Sequence, residues 1–254
     1  MLKTRVIPCL LLRETSLVKT VKFGRFGYIG DPANTVRIFN ELEVDELIFL
    51  DITATKDCRK PKFKILKEIA DECFMPLCYG GGIRTIEDMK AIYEIGLEKI
   101  SINTYAASNP EFITIAADMF GSQSIVVSID VKKNLWGKYE VCTIGGTKHI
   151  KRDPVEYAIQ MEKCGAGELL LTSIDREGTW NGYDVELVKS ITKVVSIPVI
   201  ANGGAGNVEH IGSVIRNGGA SAVAVGSMVV YQAKDLGVLV NFPDVNDLKR
   251  ALDE

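Results

Sequence analysis

ELIFLDIT at residues 46–53 and ELLLTSID at residues 168–175 are close copies of one phrase, 122 residues apart. A second pair keeps the same spacing: GGGIRTIEDMKAIYEIG at 80–96 and NGGAGNVEHIGSVIRNG at 202–218. In both copies an apolar run of strand length leads to a glycine turn and then to a segment of helical period. The repeating unit is therefore strand, turn and helix, and an offset near half of a 254-residue chain predicts two equivalent halves.

Working outward, six further runs share the strand character: RVIPCLL, MPLCY, KISIN, SIVVSID, IPVIAN and AVAVGS. Helical segments lie between the eight. DPANTVRIFNELE offers Asp31 as a cap and Pro32 in the first turn, and TIEDMKAIYEIG opens on Thr85 and stops at Gly96. Eight strands alternating with helices in about 250 residues predict a (β/α)8 TIM barrel, an α/β fold. A doubly wound open sheet is the alternative from alternation alone, and the half-chain repeat argues against it. No linker-like stretch divides the chain, so residues 1–254 read as one domain with half-barrels of about 1–122 and 123–240.

Composition excludes several classes of function. The chain is 46% hydrophobic and 25% charged with net charge −3, which gives no electrostatic reason to expect nucleic acid. Cys9, Cys58, Cys73, Cys78, Cys142 and Cys164 sit in apolar segments, with no C-x-x-C and no grouping with His149 or His210. They read as buried reduced thiols, with no metal site. Neither a leader-like start nor an apolar run of spanning length occurs, so a cytoplasmic protein with no membrane partner and no cofactor is expected.

The repeat also locates candidate chemistry. Gly81 and Gly82 follow the third strand, and Gly203 and Gly204 follow the seventh. Each pair lies at the barrel face where ligands bind, beside a helix start, where close backbone approach and free N–H groups suit a phosphate. One such pair is explained equally well by a tight turn; two at matching places predict two phosphate sites and a ligand with a phosphate at each end. Asn103 with Thr104, and Gly226 with Ser227, extend the two sites at the ends of strands four and eight. One further correspondence breaks the symmetry: Leu11 falls opposite Asp130 at an offset of 119.

RVIPCL, VDELIFLDITAT, YGGGIRTIED, KISINTYA, FGSQSIVVSID, GAGELLLTSIDREGT, GYDVELVK and IPVIANGGAG together resemble the cyclase subunit of imidazole glycerol phosphate synthase along essentially the whole chain. The resemblance implies a heterodimer with a HisH-like glutaminase subunit that delivers ammonia. Lyase and cyclase steps would then act on a bis-phosphorylated ribulosyl formimino carboxamide. It implies a general base at Asp130 and a second catalytic aspartate at position 11, where this chain has leucine. Lys19, in the loop LVKTVKF expected to cover the mouth, Asp51, Thr172, Ser173 and Gly178 match active-site positions of the family, and Glu177 occupies one that is often aspartate. Lys19 has a solvated loop cation as its plain alternative, and Asp51 a loop cap.

At the opposite end, strands one, two, four and six begin with Arg5, Glu46, Lys99 and Glu168. Strand starts in water would explain them; the resemblance implies a charged ring where the glutaminase docks and ammonia enters. IPCLLL, LVKTVKF, FMPLCYGGGIRT and IDVKKNLWGKYEV are closer to paralogues linked to acetamidino sugar modification in surface lipopolysaccharide biosynthesis, with an amidotransferase as a further partner. A non-catalytic, glutaminase-activating subunit, a histidine-pathway cyclase with an altered catalytic pair and a related sugar-phosphate isomerase are the alternatives.

Overall fold

In the computed structural model, which describes residues 4–252, the strands in chain order are β1 (Arg5–Arg13), β2 (Ser16–Thr20), β3 (Phe26–Gly30), β4 (Leu47–Asp51), β5 (Leu77–Gly80) and β6 (Lys99–Ile102). They continue as β7 (Ile125–Lys133), β8 (Tyr139–Thr143), β9 (Lys148–His149), β10 (Glu168–Ser173), β11 (Val199–Asn202) and β12 (Ala222–Val225). Eight of them, β1, β4, β5, β6, β7, β10, β11 and β12, pair in parallel in that order, and β12 pairs back to β1. This closed ring, with helices between its strands, is the (β/α)8 barrel expected from the sequence. Closure removes the free edges that an open sheet would expose.

Alternation along the strands sorts side chains into an axial core and an outer layer under the helices. Ile7, Cys78, Val126 and Ile200 form part of the axial core, together with Ile48, Leu170 and Ala224. Phe49, Val127 and Leu169 belong to the larger core packed beneath the helices. The helix Pro32–Glu41 is capped by the Asp31 side chain, with proline in its first turn. The helix Ile86–Ile95 is capped by Thr85 and ends at Gly96, whose φ of 112° disfavours any side chain. No helix among the described residues is long and apolar enough to cross a membrane.

Strand register agrees with the half-chain offset read from the sequence. Leu50 pairs with Leu11, and Thr172 pairs with Asp130, while Leu50 and Thr172 are themselves 122 residues apart. Leu11 and Asp130 therefore occupy equivalent places on opposite sides of the ring.

Two expectations need correction. Residues 17–23 are not a plain loop: Lys19 lies in β2, which pairs antiparallel with β1 and β3. The cysteines are all free, but only Cys9, Cys78 and Cys142 are buried; Cys58 is exposed and Cys73 and Cys164 are intermediate.

Candidate active site

A cavity of about 660 Å³ opens at the C-terminal ends of the barrel strands. Its lining includes Leu11, Lys19, Asp51 and Asp130, both glycine pairs, and Asn103, Thr104, Gly226 and Ser227. Thr172, Glu177 and Gly178 also line it. Ser173 does not; it is buried behind the wall, where its hydroxyl meets Asp184 at 3.4 Å.

Asp130 ends the inward-facing row of β7. Asn103 Nδ2 donates to its Oδ2 at 3.2 Å and to the Ser128 carbonyl at 3.0 Å. Thr172 Oγ1 accepts from Asn202 Nδ2 at 3.0 Å, which leaves its proton to donate to Asp130. Burial nevertheless dominates and pushes the Asp130 carboxyl up to about 7; the Thr172 hydrogen bond opposes this, and the charge of Glu177 adds to it. A carboxyl that titrates near neutrality can accept or donate a proton at physiological pH. Leu11, at the equivalent place, offers only an isobutyl group, buried between Leu50 on β4 and Val18 on β2.

Lys19 is not a solvated cation. Its buried ammonium donates to Glu177 Oε1 and to the Thr20 carbonyl. Glu177 also accepts from Thr20 Oγ1 at 3.1 Å and from the Phe23 N–H at 3.2 Å, and its own carbonyl accepts from Lys22 N at 2.9 Å. One carboxylate thus pins the β2–β3 hairpin over the cavity. Gly226 makes room for this arrangement, since a Cβ there would stand 2.8 Å from Lys19 Cε. Asn103, at the matching place in the other half, keeps its side chain and uses it on Asp130.

The glycine pairs have a packing reason at both copies. A Cβ on Gly81 would lie 2.7 Å from the Asp51 carbonyl, and one on Gly203 would lie 2.8 Å from the Ser173 carbonyl. Both φ values are positive, 128° and 92°. The same close approach at repeat-related sites leaves the turn backbones bare on the cavity side. Thr104 Oγ1 accepts from Ile144 N and so ties the first cradle to the segment after β8.

Asp51 is used by the loop that follows it. Its Oδ1 accepts from Thr53 N, Ala54 N and Arg59 Nη2, the last at 2.6 Å. Arg59 escaped the sequence reading because the ion pair closes a loop with no recognisable motif. Lys56 and Arg84, which also line the cavity near the first cradle, carried no sequence signal beyond charge.

At the other end of the axis, Arg5, Glu46, Lys99 and Glu168 close a ring of four ion pairs. Arg5 donates to Glu46 and Glu168, and Lys99 donates to the same two carboxylates at 3.0 Å each. Burial disfavours the Lys99 ammonium, but Glu168 and Glu46 outweigh it and hold its pKa above the ordinary lysine value. The buried Cys9 thiol, at the cavity floor, is pushed up to about 12 by burial and is no nucleophile at neutral pH.

A closed parallel barrel of two related halves, with a cavity at its strand C-termini and a charged ring at the other end, defines a protein of the (β/α)8 class with the cavity as its candidate site. The family model described as histidine biosynthesis protein matches residues 5–235, and the chain belongs to that family. A Pseudomonas aeruginosa relative provisionally named imidazole glycerol phosphate synthase subunit hisF2 is 50% identical over 98% of this chain and 99% of its own length. A Vibrio vulnificus relative provisionally named subunit hisF3 is 45% identical over 100% and 98%. The Alkaliphilus metalliredigens imidazole glycerol phosphate synthase subunit HisF is 44% identical over 91% and 92%. Within the family the chain is HisF-like.

Proposed function

We propose that this HisF-like chain is the synthase subunit of a glutamine amidotransferase complex that takes ammonia from a HisH-like glutaminase at the charged ring. It holds a phosphorylated substrate across the two glycine cradles and acts in acetamidino sugar modification for lipopolysaccharide biosynthesis rather than in histidine synthesis. The observation that carries the departure from histidine synthesis is Leu11 opposite Asp130. Imidazole ring closure needs one group to take a proton while another gives one, and a leucine does neither.

In this reading Asp130, as carboxylate, takes the proton shed when ammonia adds to an electrophilic carbon. The Lys19 ammonium, steadied by Glu177, balances negative charge on the substrate. The ring admits ammonia as a neutral molecule along the apolar axial core. Leu11 equally favours a second reading, in which the chain performs no chemistry and serves to activate the glutaminase and conduct ammonia to an amidotransferase.

The test gives the purified chain an ammonium salt at alkaline pH with the bis-phosphorylated ribulosyl formimino carboxamide and follows ultraviolet absorbance. No turnover is expected until Leu11→Asp restores the pair. Efficient turnover by the unaltered chain sinks the reading. If neither form turns over but an added HisH-like glutaminase binds and is activated, the non-catalytic reading replaces it.

A further inference from the structure

The segment that leaves β7 is unlike the rest of the chain. Residues 132–152 hold six Lys and Arg against one carboxylate, in a protein of net charge −3. At the tip of its first hairpin stand Leu135 and Trp136, 98% and 83% exposed.

The tip is rigid. Asn134 Oδ1 accepts from Trp136 N at 2.9 Å and Lys138 N at 3.1 Å, and Asn134 Nδ2 donates to Glu140 at 2.8 Å. Gly137, at φ 77°, completes the turn. The one carboxylate of the arm is thereby occupied internally, and its other oxygen meets His149 Nδ1 at 3.0 Å. Glu140 offsets only one of the six cations, and nothing among the described residues covers the two apolar side chains of the tip.

From these features we infer, against the sequence expectation of no membrane partner, that the β7–β9 arm docks on an anionic membrane surface. Tryptophan is the residue of membrane–water interfaces, and flanking lysines add attraction to anionic lipid. Stable peripheral attachment needs an apolar insertion together with a basic patch, and the arm carries both. Five of the six cations are lysine, a residue depleted at protein interfaces, which favours lipid over a protein partner.

The β2–β3 hairpin, leaving the same barrel end from β1, adds exposed Phe26 and Tyr28 beside Lys22 and Arg25. Ile144 and Gly145 of the arm line the cavity, so docking turns the mouth toward the bilayer. The Leu135–Trp136 tip itself lies outside the cavity and the charged ring, and the inference stands whether or not the proposed chemistry holds.

The experiment uses the full chain with vesicles of phosphatidylglycerol and phosphatidylcholine, and with phosphatidylcholine alone, scored by co-sedimentation and tryptophan emission. Binding to the anionic vesicles only is expected, with a blue shift that Trp136→Phe removes. Lys132→Gln, Lys133→Gln and Lys138→Gln together should weaken it about 100-fold, from roughly fivefold per lysine. A Leu135→Ser, Trp136→Ser variant should lose the shift and most binding while keeping the wild-type circular dichroism and melting curve. No vesicle binding at low salt, binding unchanged in both variants, or tip-dependent binding to a protein with none to vesicles overturns the inference.

Discussion

Replacing Asp130 by asparagine should make the protein more stable, and increasingly so as pH rises. Asp130 has an ordinary value of 3.8 and is held near 7 in the fold. The folded state therefore favours the protonated form: the group costs nothing below the unfolded value, and stability falls as pH rises from there through about 7. A rise of roughly three units corresponds to about 4 kcal/mol at full ionisation, an upper bound because Asp130 lines a solvent-filled cavity. About 2–3 kcal/mol of that should develop between pH 5 and pH 8. The substituted amide keeps the size and the Thr172 contact but cannot ionise. Urea midpoints of both proteins across this range, compared pairwise so that other titrations cancel, should show a gap that widens with pH. At about 3 °C per kcal/mol for a chain of this length, melting at pH 8 should rise by roughly 10 °C. A gap that stays constant, or narrows toward alkaline pH, would refute the assignment of Asp130 as a strained near-neutral acid.

Glu168→Gln leaves Arg5 and Lys99 with only Glu46 between them and should cost about 3 kcal/mol by denaturant unfolding; it should also weaken binding of a HisH-like glutaminase in titration calorimetry. Gly204→Ala, whose Cβ would collide with the Gly182 carbonyl at φ 114°, should cost roughly 3 kcal/mol or more. Gly96→Ala, at a similar φ with open space around it, should cost about 1 kcal/mol, a contrast that separates clash from backbone strain. Glu177→Gln should release the β2–β3 hairpin, read as faster cleavage near Lys22 under limited proteolysis at native conditions.

Periodicity and repetition carried most of the fold. The barrel followed from eight strand runs and a fixed offset, and the caps at Asp31 and Thr85 followed from local chemistry, because those signals lie within a few residues of their effects. Parity along the strands placed Arg5 below Leu11 and Lys99 below Asn103. What stayed hidden depends on distance or on unusual backbone. Lys19 meets Glu177 across 158 positions, and no local pattern announces that pairing. The turn between β2 and β3 passes through Lys22 and Phe23, both at positive φ without being glycine, so Gly24 is the one residue of the turn whose type signals it. The Asp51–Arg59 pair similarly arises only once a loop has folded back on its own strand.

Gly226 has a consequence for the history and redesign of this molecule. The two halves share an architecture, but the cavity draws its lysine from the first half and its acid from the second, and Lys19 can cross only where the second half has surrendered a side chain. A perfectly symmetric barrel assembled from two first halves would have two copies of Lys19, two asparagines in their way and no carboxylate at the Asp130 position. One assembled from two second halves would have two copies of Asp130 and no lysine at the Lys19 position. The two halves share one frame, and Lys19 and Asp130 come to face one cavity only because the halves differ in complementary ways.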